Sequence, residues 1–571
     1  MRLCVSVILS KGNMKRFSFF FVSLLVSIAV TAAEKFPKKV EKVRSSVLSI
    51  LTYSNGVFKE SGTAVFAGGN GDILASYSLM LGADSAVVID NKGVVRPVIG
   101  IVGLDNIYDC VKLRVATDKK ISYLPVSETE VHAGDELYML SYGKKNNGTI
   151  TKVKVSAVDS LYSHAYYTLD INMQERYESL PVVNAEGGLV ALVQPSSMGD
   201  SCSYAIAATI YGKLATTSVT YGKGYYDGMC MHTLLPSDRE AALSCMYMQA
   251  VLGDSLSYRT VIDKFIESYP SGYEGYLCSA EHHAVYCRDM DAADLEWKRA
   301  ISFAMNPAEV HFNKAKVINS LLMSGDSIPH GMLSFKEALN ELDKAIELDN
   351  QPLYVNYKAD MLFSHGNYAA AAECYRSLAS TVLRSAEVFA KASQCYGSLK
   401  DYDASIEMLD SAVAFHAASP RLSAPYMLTR AVVKMTAKKY REAVIDFNSY
   451  EEAAGGNISN ANFFYMRGQA ELGGKMYQQA LNDFETSIYL DPENPVYYIE
   501  KGVLCYRVKL ADEGIRALNK AKELVPEVAD VYYLLGCLYI GKDETELARE
   551  NLEKAHSLGH PDALVKLNVL K

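Results

Sequence analysis

Gly468, Gly502 and Gly536 stand 34 residues apart, and each carries the same neighbours at the same offsets. Four residues before each glycine is an aromatic: Phe464, Tyr498, Tyr532. Twelve residues after each is a small residue (Ala480, Gly514, Ala548), followed by a large apolar one (Phe484, Leu518, Leu552) and then by Ser487, Ala521 and Ala555. Pro492 and Pro526 close the first two units. Three- and four-residue spacings are helical, and a fixed period of this length marks a stacked array. A small residue on one helix lets a second approach closely, and the aromatic one turn earlier fills the wedge beside it. Proline ends the second helix because its ring cannot continue the hydrogen-bond ladder. One such hairpin cannot bury its apolar face alone, so the units must stack into a solenoid.

This pattern is identified as the tetratricopeptide repeat. It continues upstream with looser spacing: Tyr440, Ala443 and Phe447 with Ala431 at the glycine position; Phe389, Ser393, Tyr402 and Leu409; Tyr368, Ala371 and Tyr375; Phe335, Ala338 and Leu342; and Trp297 with Ala300. Residues 451–460, rich in Ala and Gly, read as an inserted loop. About nine helical hairpins are expected over residues 237–565. The resemblance implies a concave surface that holds a partner protein or peptide, with Tyr465, Gln469, Tyr506, Arg507 and Tyr533 on it. Tyr and Arg are frequent interface anchors.

The whole chain has 571 residues, 49% hydrophobic and 22% charged, the balance of an ordinary globular protein. A net charge of −9 argues against nucleic acid as a partner. Lys15-Arg16, an apolar run over 17–30 and Thr31-Ala32-Ala33 form the pattern of a secretory signal peptide, expected over 1–33 with Met14 as the natural start. The run is shorter than the ~20 residues of a membrane span, and a retained anchor is the weaker alternative. The protein is therefore expected to be exported, periplasmic or extracellular, with no membrane span after cleavage and a partner in the cell envelope. Export permits disulfides among Cys202, Cys230, Cys245, Cys278 and Cys287, although small buried thiols are the plainer reading. No cofactor is expected: the cysteines form no CxxC pair, and Gly68-Gly69-Asn70-Gly71 lacks the Lys-Ser/Thr of a phosphate loop.

Residues 40–218 have another texture: short β-branched runs at 46–51, 62–66, 86–89, 95–101, 136–140, 149–158 and 189–193, separated by Gly, Asn and Asp. Such runs indicate an all-β sandwich or barrel. Gly62-Thr63-Ala64-Val65-Phe66, Gly71-Asp72-Ile73-Leu74-Ala75, Leu81-Gly82-Ala83-Asp84 and Tyr204-Ala205-Ile206-Ala207 occur in the order found in trypsin-like serine proteases of the high-temperature-requirement group. The segments 131–142 and 180–192 are similar to that group too. The resemblance implies a double β-barrel, joined by a linker at 219–236 to the solenoid: a multidomain chain, β then α.

The catalytic residues do not follow the resemblance. Ser78 aligns with the triad histidine and Asp109 with the acid; the nucleophile loop reads Arg176-Tyr177-Glu178-Ser179-Leu180-Pro181, with Glu178 at the serine position and Ser179 one residue late. A serine hydroxyl without an adjacent base is a weak nucleophile, and bulky residues replace the glycines of the oxyanion hole. Neither His132 nor His164 stands where a base is expected. The expectation is a non-catalytic adaptor with a degenerate protease barrel. The alternatives are a serine endopeptidase with a non-standard centre, and a barrel that only caps the repeats.

Overall fold

The computed structural model describes residues 35–117, 121–171, 179–194, 202–222, 228–324 and 334–570; the signal segment 1–33 and Glu178 lie outside the described residues. Two compact units divide the chain, Met1–Ser268 and Tyr269–Lys571.

Twelve strands in the first unit form two closed barrels. The first barrel is built from β1 (Val47–Ser54), β2 (Val57–Phe66), β3 (Asp72–Ser76), β4 (Ser85–Ile89), β5 (Val95–Asp105) and β6 (Cys110–Val115) in the order β1-β2-β3-β6-β5-β4. The second holds β7 (Glu136–Leu140), β8 (Ile150–Leu161), β9 (His164–Leu169), β10 (Pro181–Val183), β11 (Leu189–Gln194) and β12 (Ser203–Ala207) in the order β10-β11-β12-β9-β8-β7. Numbered from its own first strand, the second barrel repeats the strand order of the first. All pairs within these barrels are antiparallel. This duplicated six-strand barrel is the trypsin-like architecture.

Alternation explains the closure. In β1 the buried positions include Leu48, Ile50 and Thr52, and closing the sheet removes the edges that would otherwise invite aggregation. Leu48, Ile50, Ile73, Val88, Ile101 and Leu113 fill the first barrel, while Val153, Leu169, Val182, Val190 and Ala205 fill the second. A third cluster, with Leu74 and Cys110 from one barrel and Leu140, Leu192 and Ile206 from the other, seals the seam between them. Each such aliphatic side chain contributes about 1.5–3 kcal/mol when fully buried.

Within the segment expected as a linker, Thr233 and its neighbours pair with β5. Leu234 N–H donates to Ile101 O at 2.6 Å, Ile101 N–H donates to His232 O at 3.0 Å, and Gly222 N–H donates to Thr233 Oγ1 at 3.0 Å. Gly103 makes room nearby: a Cβ there would lie 2.3 Å from Ala215 N.

Helix pairs follow. Arg239–Leu252 with Ser255–Ser268 belongs to the first unit. The second unit begins with Tyr273–Val285 and Met290–Phe303 and runs in pairs to Ala529–Ile540 and Thr545–Ser557, with Ala563–Val569 after them. Among the described residues this makes nine successive pairs. Glu451 to Ala453, expected in a loop, belong instead to the helix Tyr440–Ala453, because the backbone ladder continues through them to the Ala454 N–H, which donates to Tyr450 O at 2.8 Å. The repeated glycines do the work their spacing suggests. A Cβ added at Gly468, Gly502 or Gly536 would lie 2.8, 2.6 or 2.6 Å from Phe484, Leu518 or Leu552, so only glycine permits this approach.

Buried ion pairs repeat with the helices. Arg430 donates to both oxygens of Asp446, 16 residues later, and Arg467 to both oxygens of Asp483, again 16 later. Glu471, one turn from Arg467 and 4% exposed, faces Asp483, and its Oε2 has no hydrogen-bond partner. Burial first, then the Asp483 charge, pushes the Glu471 carboxyl up to about 8 against the opposing pull of Arg467. A carboxyl whose folded value is raised stabilises the fold fully below its unfolded value and loses that contribution as pH rises through the folded value. The solenoid should therefore weaken between pH 5 and 9 by on the order of 3 kcal/mol. Glu471→Gln should flatten that slope, giving a higher urea midpoint than wild type at pH 9 and no gain at pH 4.5.

Candidate functional site

The turn between β5 and β6 holds the acid. Tyr108 pins this turn to the second barrel: its hydroxyl donates to Leu161 O at 3.0 Å, and its carbonyl accepts from Gln194 Nε2. Asp109 follows in the left-handed region, φ 49°, which Asp tolerates better than most residues. This conformation turns its carboxylate toward the end of β3. There Ser76 Oγ donates to Asp109 Oδ2 at 2.5 Å, and Ser78 donates to Oδ1 twice, from its hydroxyl at 2.5 Å and its amide at 2.7 Å. Tyr77 N–H donates to Asp109 O at 3.2 Å.

The structure thus brings Ser78 and Asp109 together and adds Ser76, which the sequence reading missed. Its signal was a polar residue following the apolar Ile73-Leu74-Ala75 at the end of β3. The chemistry of this cluster is one-directional. Both serines give their protons to the carboxylate, and neither hydroxyl can accept a second proton near neutrality. The adjacent Cys110 thiol is buried, and burial, reinforced by Asp109 and Asp105, holds it far above the usual thiol range, so it is not a thiolate.

On the second barrel, Ser179 has φ 60° and is 4% exposed. Its N–H donates to Val193 O at 2.8 Å, and Val193 N–H returns a bond to Leu180 O at 3.0 Å. The pair extends the β10–β11 ladder, so the Ser179 amide is committed to the sheet. His164 is 6% exposed, with its ring edge-on to Tyr108 at 5.1 Å. Burial, helped by Lys213, lowers its pKa against the pull of Asp105 and favours the neutral ring. His132 lies on a surface turn, its amide donating to Asp135 Oδ2 at 2.8 Å. The ten described cysteines, Cys110 to Cys537, are free thiols.

The five solenoid residues lie on three successive first helices: Ala461–Gly473, Pro495–Val508 and Ala529–Ile540. Gln469 Nε2 donates to Tyr465 Oη at 2.8 Å and approaches Glu500 Oε1 at 3.5 Å, while the Tyr465 ring meets Tyr497 at 5.3 Å. Burial raises the Glu500 carboxyl, opposed by Gln469 and by Arg507. Tyr533 stacks on His560 with centroids 3.9 Å apart, and burial pushes its hydroxyl up to about 12. Tyr506 and Arg507 are exposed. Tyr465 and Gln469 are therefore half-buried members of a helix-to-helix network, whereas Tyr506 and Arg507 offer free surface.

The described residues contain no group of three or more His, Cys, Asp or Glu placed to hold a metal, and no helix long and apolar enough to cross a membrane.

The tetratricopeptide repeat family matches residues 529–558. Among solved structures, the crystal structure of the serine endoprotease from Yersinia pestis is similar at 18% identity, covering 32% of this chain and 66% of that one, with a TM-score of 0.28. No curated protein matches.

Asp109→Asn keeps a residue suited to the left-handed turn but removes the charge that three donors share. It should cost the barrel unit about 2–3 kcal/mol at pH 7, seen as a lower urea midpoint followed by near-UV circular dichroism.

Proposed function

We propose that this chain is an exported, non-catalytic adaptor: a degenerate trypsin-like barrel carried with a tetratricopeptide solenoid that binds a protein or peptide of the cell envelope. The observation that carries the reading is the occupancy of Asp109. In a working triad the acid orients an imidazole, which takes the proton of the nucleophile. Here the hydroxyl of Ser76 and the hydroxyl and amide of Ser78 occupy both oxygens of the acid, and serine stands where the triad would set its imidazole. Ser179 has its amide committed to Val193 and its side chain buried. Binding needs no proton transfer and tolerates all of these changes.

The solenoid supplies the surface. Tyr506 and Arg507 are exposed beside the half-buried Tyr465, Gln469 and Tyr533, and Tyr and Arg are the side chains that most often anchor interfaces. The basic, apolar and small-residue order of the first 33 residues supports export.

The test is incubation of the full chain with a fluorophosphonate probe and with casein, followed by intact-mass and peptide mapping. The expected result is unmodified protein and uncut casein. Covalent labelling of Ser179 would overturn the reading in favour of a serine hydrolase with a non-standard centre.

A further inference from the structure

The connections between the first and second helix of successive pairs carry a feature that folding does not require. Lys400, Lys438, Lys475 and Lys509 all sit there with φ between 60° and 64°. The left-handed position after a helix favours Gly, as at Gly366 with φ 77°, because a Cβ is strained in that region. Lysine at four such turns therefore points to the side chain. Acids follow Lys400 and Lys509 closely in sequence, Asp401 and Asp403 in one turn and Asp512 and Glu513 in the other, with Asp403 paired to Lys439 and Asp512 to Lys542.

The two central turns differ. Lys438, Lys439, Arg441 and Lys475, with Tyr440 and the Gly473-Gly474 backbone, line an open cleft of about 440 Å³ whose one acidic lining residue is Glu442. Lys439 Nζ is 2.6 Å from Asp403 of the preceding pair, and Arg441 Nε donates to Gly474 O at 3.1 Å. Lys438 and Lys475 are exposed and make no ion pair among the described residues. Four cations converge in a chain whose net charge is −9.

We propose that this cleft binds an acidic protein segment, a run of consecutive carboxylates laid across the two turns. The cations are three lysines and an arginine already tied at Nε, spread over neighbouring repeats. Lysines are mobile point charges without the fork that grips one phosphate in two places, so the cleft suits charge distributed along a chain. It lies at the helix-to-helix turns, and its lining residues do not include Tyr506 or Arg507. The proposal thus adds a second contact to the adaptor reading and rests on it only for the kind of ligand.

Fluorescence anisotropy of a labelled hexaglutamate peptide against the full chain tests it, with a hexaglutamine peptide, inorganic phosphate and phosphatidylglycerol vesicles as comparison arms. Hexaglutamate should bind, and high salt should weaken it. Lys438→Gly with Lys475→Gly should weaken binding about tenfold while leaving the melting temperature equal or higher, since glycine relieves the left-handed strain. Lys400→Gly with Lys509→Gly, and Tyr506→Ala with Arg507→Ala, should bind like wild type. Equal binding by the Lys438/Lys475 variant, equal binding of hexaglutamine, or lysine-dependent binding of phosphate or vesicles in place of the peptide would each overturn the proposal. Loss of binding in the Tyr506/Arg507 variant would move the peptide to that face and overturn the cleft assignment alone.

Discussion

Three hydrogen bonds to one carboxylate hold the β5–β6 turn against the end of β3, beside the seam on which both barrels close. Asp109 is delivered to the end of β3 by a turn that Tyr108 ties to the second barrel, and its φ of 49° holds the side chain there. A carboxylate so placed needs partners, because leaving it partly desolvated and unpaired would cost several kcal/mol. Ser76 and Ser78 provide them. Two hydroxyls and an amide meet both oxygens of the acid and close the turn. The barrels persist as shape: both retain the same strand order, closed edges and an apolar seam.

The solenoid rests on close helix approach. Where Gly468, Gly502 and Gly536 meet Phe484, Leu518 and Leu552, there is no room for a Cβ, and the aromatic one turn earlier packs beside the gap. Stability in such an array comes from each pair and its neighbours, so charged groups can recur without disturbing a single central core. Arg430–Asp446 and Arg467–Asp483 recur in this way, joining the two helices of a pair at one level. Buried ion pairs add little net stability, and these are better understood as fixing how far one helix slides along the other. Glu471 meets Asp483 of such a pair with one oxygen left unpartnered, which ties solenoid stability to pH.

Much of this architecture is legible in the residues, and the gaps have physical reasons. Short β-branched runs at 95–101, 136–140 and 189–193 fall within β5, β7 and β11. β10 has three residues, all buried, and shows no alternation to read. The 34-residue period exposes the last repeats because glycine, aromatic and proline coincide there. Earlier pairs replace glycine with Ala431 or Ser393, and the signal fades although the packing survives. The Ser78–Asp109 contact was accessible through resemblance, since 31 residues of sequence separate the two. Ser76 was not, because one polar residue at a strand end is ordinary. Buried Arg–Asp pairs were hidden for a similar reason: charged residues on helices usually face water, and only the fold shows which do not. Positive φ at the turn lysines is a property of backbone geometry that composition does not carry.

The central claim is that no serine of the barrels acts as a nucleophile. Its most direct measurement is the pre-steady-state release of p-nitrophenol from p-nitrophenyl acetate by the full chain and by Ser179→Ala, followed from pH 6 to 9. The account predicts no burst and identical slow release by both proteins at every pH. A stoichiometric burst that disappears in Ser179→Ala, rising with pH as a base deprotonates, would contradict it.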